Sequence, residues 1–182
     1  MLRQSLTTKR LFLRRHRRSD AKPIACLLDD WDVARWLSTV PHPYTRRDAV
    51  NWIAQCGRSW QLGRDYQFVV VQPPAFLKPE TVVGHMGLSI KSDPTIGELG
   101  YWFGQQYWGR GYGKEAAAAV VDFGFTALRL DTIEATALPN NRRSQAVLAS
   151  AGLRECGRRT VTFHSEQDPV ECPLYRVHRA SR

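Results

Sequence analysis

The sequence predicts an α/β fold in one mixed α/β domain. A strand-like segment and two segments with helical apolar spacing come first, three compact β-rich runs joined by short turns fill the centre, and helix and strand patterns alternate after them. No internal repeat or linker divides the 182 residues, a length within the ~100–200 residues of a single domain.

Residues 5–15 (SLTTKRLFLRR) read as a first strand. Ser19-Asp20 offers an N-cap for a helix over 21–37, where Ile24, Leu27, Leu28, Val33 and Leu37 recur at helical spacing. Pro41 and Pro43 end that region. Thr45 followed by Asp48 has the form of a capping box opening a second helix through Val50, Trp52, Ile53 and Trp60. Residues 66–72, 81–90 and 96–103 then read as an antiparallel meander, with Gly84 and Gly87 marking bulges or close backbone approach. Residues 114–128 form an alanine-rich helix with Val120, Val121, Phe123 and Phe125 to bury. A strand over 131–138 follows, then a short helix over 142–151 closed by Gly152, and two β-like stretches at 159–163 and 173–177 around a polar turn at 164–168.

Composition excludes several classes. At 43% apolar and 24% charged the chain is neither disordered nor collagen-like, and no apolar run approaches the ~18–20 residues of a membrane span. The net charge of +9 is concentrated: residues 1–18 hold Arg3, Lys9, Arg10, Arg14, Arg15, Arg17 and Arg18 with no acid, and the rest is nearly neutral. Such a run is suited to an anionic partner, whether nucleic acid, a ribosome, an anionic lipid surface or an acidic protein, although the embedded Leu11-Phe12-Leu13 reads as strand rather than organellar presequence. No secretory signal is recognisable. Cys26, Cys56, Cys156 and Cys172 have neither zinc spacing nor a C-x-x-C pair. They read as small buried hydrophobes of a cytoplasmic protein that needs no metal.

The stretch Tyr107-Trp108-Gly109-Arg110-Gly111-Tyr112-Gly113-Lys114-Glu115 leads from a strand through a three-glycine turn into a helix. Glycines here let a ligand approach the backbone and permit positive φ. The helix start then offers unpaired N–H groups and a positive dipole end to phosphate oxygens, with Arg110 and Lys114 adding charge. It is not a P-loop, since no Ser or Thr follows Lys114, and Gly109-x-Gly111-x-Gly113 is not a dinucleotide fingerprint.

In context, Trp108 to Gly113 resembles the acetyl-CoA-binding turn of the GNAT superfamily of N-acetyltransferases, Arg/Gln-x-x-Gly-x-Gly/Ala. Trp108 stands in the Arg/Gln place, as in the branch of ribosomal-protein-alanine N-acetyltransferases. Three other stretches resemble that branch in the same order: Thr8-Lys9-Arg10-Leu11-Phe12-Leu13-Arg14, Gly97-Glu98-Leu99-Gly100-Tyr101-Trp102-Phe103, and Asn141-Arg142-Arg143-Ser144 running to Leu148 and Ala151-Gly152-Leu153. The resemblance covers nearly the whole chain and implies a GNAT-like mixed sheet of about seven strands flanked by about four helices.

It also implies a set of roles. Gly109, Arg110, Gly111, Tyr112, Gly113 and Lys114 would hold the coenzyme diphosphate. Tyr101, Trp102 and Phe103 would pair through their backbone with the pantetheine arm where two central parallel strands splay. Asn141 would contact the coenzyme near the thioester, with Ser144 on the same helix face. A neutral primary amine, from a protein N-terminus or a small molecule, would attack the acetyl ester directly. Glu98 is the candidate base, with a solvated strand-end carboxylate as the alternative, and Ser144 the second catalytic candidate. Leu148 stands where the family often has a Tyr acid. His85 and His164 read as structural or exposed, His42 belongs to a Pro-flanked loop with Tyr44, and of Trp31, Trp36, Trp52 and Trp60 one or two would line an acceptor pocket. Asp29, Asp30, Asp32 and Glu98 are the candidate acidic lining. No membrane contact is expected, and the chain would act as monomer or homodimer. A non-catalytic module that binds acyl-CoA or nucleic acid is the alternative from a different class.

Overall fold

A computed structural model describes residues 3–75, 79–163, 166 and 168–181. Within them one eight-stranded sheet runs in the order β1-β2-β3-β4-β5-β6-β8-β7. The strands are β1 (Ser5–Thr7), β2 (Phe12–Arg14), β3 (Asp65–Gln72), β4 (Thr81–Ile90), β5 (Ile96–Phe103), β6 (Thr132–Thr136), β7 (Arg154–Val161) and β8 (Val170–His178). The helices are α1 (Ala21–Leu28), α2 (Trp31–Ala34), α3 (Arg46–Gln61), α4 (Tyr112–Thr126) and α5 (Arg142–Ser150). No helix of the described residues is long and apolar enough to cross a membrane.

The mixed α/β architecture is as expected, with one more strand and one more helix because two segments break. Residues 5–15 fold as a hairpin: Thr8 closes a tight turn, its N–H donating to the Leu11 carbonyl at 2.9 Å while its Oγ1 accepts from Leu11 N at 3.0 Å. The helix expected over 21–37 divides at Asp29-Asp30, because the Asp30 side chain caps α2 by accepting from Asp32 N and Asp29 accepts from Tyr44 N. Asp20 does not cap α1. Its buried carboxylate instead takes both terminal nitrogens of Arg14 at 2.8 Å and the Arg17 amide. The Thr45/Asp48 capping box forms as read. In the tail, β7 and β8 extend well beyond the expected stretches as a hairpin, and β7 is exposed along most of its length, so no apolar alternation announced it.

Two apolar layers sandwich the sheet. On one face Phe68, Met86, Leu88 and Ile133 pack against Ala116, Val120, Val121 and Phe123 of α4. On the other, Val69, Val71 and Trp102 pack against Ile24, Leu28 and Ala49 of α1 and α3. α4 lies close to the sheet because Gly124 has no side chain: a Cβ there would come within 2.7 Å of Ile133 and 2.8 Å of Leu88. The close backbone approach expected in β4 is present, with a bulge at Val83 and a Gly84 whose Cβ would sit 2.4 Å from the Trp102 carbonyl. Of the cysteines only Cys56 and Cys172 are buried; Cys26 and Cys156 are exposed, so these two are not core residues.

Much of the basic N-terminal run is engaged internally. Arg14 is held by Asp20 and Glu80, Arg10 by Glu115, and Arg15 lies over the Trp60 ring. Burial by itself would push the Asp20 carboxyl up, but the Arg14 guanidinium and the Arg17 amide bring it below its ordinary value. Asp20→Asn is expected to destabilise the fold by about 3 kcal/mol at neutral pH, since Glu80 still partners Arg14. A carboxylate with a depressed folded pKa stabilises above its unfolded value of ~4 and loses that contribution as pH falls further. The gap in denaturation midpoint between the two proteins should therefore be full at pH 6 and shrink below about pH 4.

Candidate active site

β5 and β6 form the only parallel pair among the described strands, and they pair over just three positions, ending at Glu98↔Glu134. Beyond that point β5 continues to Phe103 with no β6 partner, whereas β6 stays with β8. The unpaired edge of β5 opens a cavity of about 940 Å³ that extends from the glycine turn along Tyr101 and Asn141 to Glu98 and Arg159.

At one end the turn is built as its glycines suggested. Gly109 and Gly111 take φ of +73° and +77°, a region that favours glycine. Gly111 is the N-cap of α4, which begins at Tyr112, two residues earlier than expected. The amides of Tyr112, Gly113 and Lys114 are therefore among the four at a helix start without intrahelical partners. Trp108 anchors the turn, its indole N–H donating to the Phe103 carbonyl at 2.7 Å. Gly109, Gly111, Tyr112, Gly113 and Lys114 all line the cavity, as do Tyr101, Trp102, Phe103, Asn141 and Ser144. Arg110 does not: its guanidinium lies over the Tyr107 ring outside the lining. Arg143, which the sequence reading named within the stretch from Asn141 but gave no role, lines this end instead with its guanidinium 4.8 Å above Trp108. A cradle of open glycines, helix-start amides and two cations fits a diphosphate.

Glu115 in the first turn of α4 would oppose an anion there, but its oxygens are taken up. Oε1 accepts from Thr8 Oγ1 at 2.6 Å and Arg10 N at 2.7 Å, and Oε2 from Arg10 Nε at 2.7 Å. Arg10 also donates to the Arg110 carbonyl at 2.9 Å and lies over Tyr112. The N-terminal hairpin thus braces the glycine turn.

Midway along, Asn141 caps α5 by accepting from Ser144 N at 3.1 Å. Sequence reading missed the role of the Tyr101 side chain. Its hydroxyl lies 2.7 Å from Ser144 Oγ and 3.0 Å from the Ser144 carbonyl. Burial pushes that hydroxyl well above its ordinary pKa, an effect opposed by the Ser144 hydrogen bond. The signal was the Tyr itself, overlooked because the strand was read through its backbone. Leu148 is fully buried core.

At the far end Glu98 lines the cavity with both oxygens paired, to Lys91 Nζ at 2.8 Å and Arg159 Nη1 at 3.0 Å. Asp29, Asp30 and Asp32 do not line it. Trp36 does, whereas Trp60 is core, Trp52 packs on His16 and His85, and Trp31 is exposed beside His42. His85 is buried, its Nε2 2.8 Å from Gln67 Oε1, and burial holds its pKa well below the ordinary value. His164 lies outside the described residues.

Residues 10–154 match the family model described as Acetyltransferase (GNAT) domain. The chain is 29% identical over 157 residues to the uncharacterized N-acetyltransferase p20 of Bacillus licheniformis, covering 85% of this chain and 84% of that protein. Among solved structures it is similar to a putative ribosomal-protein-serine acetyltransferase from Vibrio cholerae, with a TM-score of 0.79 and 24% identity over 96% of this chain and 97% of that one. RimJ of Mycobacterium smegmatis in complex with CoA-disulfide gives a TM-score of 0.80 and 24% identity, covering 94% and 83%.

Because Asn141 both caps α5 and faces the cavity, Asn141→Ala should lower stability by about 1 kcal/mol. Thermal denaturation should show this as a drop of roughly 2–4 °C in Tm.

Proposed function

The chain belongs to the GNAT acetyltransferases, and from that premise we propose that it transfers an acetyl group from acetyl-CoA to a primary amine by direct attack in a ternary complex. The acceptor is a protein N-terminal α-amine or a small-molecule amine, and no metal takes part. The carrying observation is the cavity opened where β5 leaves β6, with the glycine turn at one end and ionisable side chains at the other. The complex of RimJ with CoA-disulfide supports a coenzyme in that cavity. Free thiols scattered over surface and core are compatible with action in the cytoplasm.

The coenzyme, when bound, supplies an acyl ester already activated toward nucleophiles. The amides of Tyr112, Gly113 and Lys114, together with the Lys114 and Arg143 side chains, would hold its diphosphate, and Tyr101, Trp102 and Phe103 would pair with its amide-bearing arm as with an extra strand. Asn141 orients the arm. The chain must further accept one proton from the incoming ammonium, and must stabilise the departing sulfur until it takes up a proton, which balances the second one that the nitrogen sheds on attack. Glu98 is the acceptor of the first proton once its ion pairs loosen, directly or through water. Ser144 and Tyr101 serve the second need as a hydroxyl pair. Tyr101 donates to the Ser144 carbonyl, and Ser144 Oγ–H bonds to Tyr101 at rest. Both are poor acids, so their contribution is hydrogen bonding to a developing thiolate that water then protonates.

The test is thiol release from acetyl-CoA across a panel of amines, with initial-rate patterns that intersect as a ternary complex requires. A protein that binds coenzyme tightly yet releases no thiol with any amine would be a binding module instead. Gly111→Val places a side chain at φ +77° with its Cβ 3.3 Å from Arg10. It should raise the coenzyme Kd at least tenfold at a cost of ~1–2 kcal/mol in stability, and an unchanged Kd by calorimetry would remove the turn from the site. Ser144→Ala and Tyr101→Phe should each lower kcat on the order of 10- to 100-fold with coenzyme Kd nearly unchanged. Since the two act as a unit, the double variant should lose little more than either.

A further inference from the structure

Resting on the acetyl-transfer reading, we infer that the acceptor is an amine carrying an oxyanion, a carboxylate or phosphate, within a few bonds of its nitrogen. The argument starts from the charged residues at the far end of the cavity. Lys91, Glu98 and Arg159 line it, and each oxygen of Glu98 already faces a cation, at 2.8 Å and 3.0 Å. Arg159 also reaches Glu134, a buried carboxylate shared with Arg176 at 3.0 Å. The network thus sets three cations against two carboxylates. The acids that could have offset it are committed elsewhere. Asp29 holds Tyr44 N, Asp30 caps α2, and Asp32 pairs with Gln105 and Arg35.

A polycationic acceptor entering this end would bring positive charge against Lys91 and Arg159, and the one carboxylate it could use is already occupied. In a half-buried site that repulsion is poorly screened. An amine with a nearby oxyanion meets the opposite situation, because it can exchange partners with the network. The oxyanion takes the place of Glu98 between Lys91 and Arg159, and the ammonium takes the place of a cation on Glu98. The two ion pairs of Glu98 give way to three, and the exchange frees Glu98 to face the nitrogen that must lose its proton. The three side chains are 29–37% exposed, so they can swing to make the exchange. Around them Trp36, Leu37, Leu138, Val161 and Phe163 form an apolar wall, which suits an acceptor with a hydrophobic body.

The experiment compares acceptors matched in body. L-phenylalanine is set against L-phenylalaninamide, phosphoethanolamine against ethanolamine, and spermidine serves as the polycation. The amide carries the less basic amine and so the larger neutral fraction at pH 7.5, so a preference for the free acid cannot arise from amine ionisation. At least one anionic member should exceed its neutral partner at least tenfold in kcat/KM and exceed spermidine as well. The two pairs tell carboxylate from phosphate. Lys91→Glu should reverse the order, and Lys91→Met should flatten it. A wild-type preference for neutral or polycationic amines, or a ratio unchanged in Lys91→Glu, would overturn the inference while leaving acetyl transfer intact. Calorimetric titration of the same acceptors into the protein, with and without coenzyme, reads the ranking independently of turnover. Failure of every anionic amine to bind overturns the inference, whereas failure of the coenzyme to bind is a failure of the acetyl-transfer reading.

Discussion

The site depends on how briefly β5 and β6 pair. Parallel neighbours in a packed sheet usually stay together, yet these two share three positions and then separate. The paired end is fixed by packing: the missing side chain of Gly97 lets Leu130 lie against β5, and Gly124 brings α4 down on Ile133 and Leu88. Past Glu98 each strand has a partner on its outer side only, β4 for β5 and β8 for β6. The sheet therefore holds an edge in its own interior. An unpaired edge is a template for another extended chain, and here helices and turn enclose it so that a slender amide-bearing molecule can use it.

How much of this was legible depends on how local each feature is. The glycine turn could be read from sequence because its physics resides in three residues and the helix they start. The close of α5 at Gly152 and the Thr45/Asp48 box were legible for the same reason. Asp20 was misread because the same residue type can cap a helix or neutralise a guanidinium. The choice was made by Arg14, brought alongside by the strand before it. The splay of β5 and β6 came only from family resemblance, since it is set by packing of α4 and Leu130 rather than by any pattern within either strand. Least legible was the pairing of Glu98 with Lys91 and Arg159, which joins β5 to a residue just past β4 and to a strand more than fifty residues on.

An aromatic cluster that reaches the cavity through Trp102 shows a related limit. His16, Trp52, His85 and Trp102 pack ring on ring at 4.7–6.2 Å. Both nitrogens of His16 and Nδ1 of His85 are buried without a hydrogen-bond partner among the described residues. Burial lowers His16 to about 4, so at neutral pH both rings are uncharged and act as flat, weakly polar spacers. Through Gln67, which accepts from His85 and donates to Ser89 Oγ at 3.2 Å, the cluster fixes a hydroxyl that lines the cavity. Histidine in a strand gave no hint of this in the sequence. The rings it meets come from the loop after β2, from α3 and from β5.

The N-terminal charge shows how structure divides what composition gives as one total. Seven basic residues without an acid invite a polyanionic partner, but Arg10 and Arg14 spend their charge inside the chain. Arg10 has a physical reason to do so. A helix start that binds a diphosphate cannot also present an unneutralised carboxylate, and Glu115 sits in the first turn of α4. With Thr8 and Arg10 satisfying both its oxygens, Glu115 becomes a tether that ties the N-terminal hairpin to the turn. Its charge is then cancelled at short range, and the helix-start amides keep their attraction for anions. Arg10 is thus what allows a carboxylate and an anion cradle to share one helical turn.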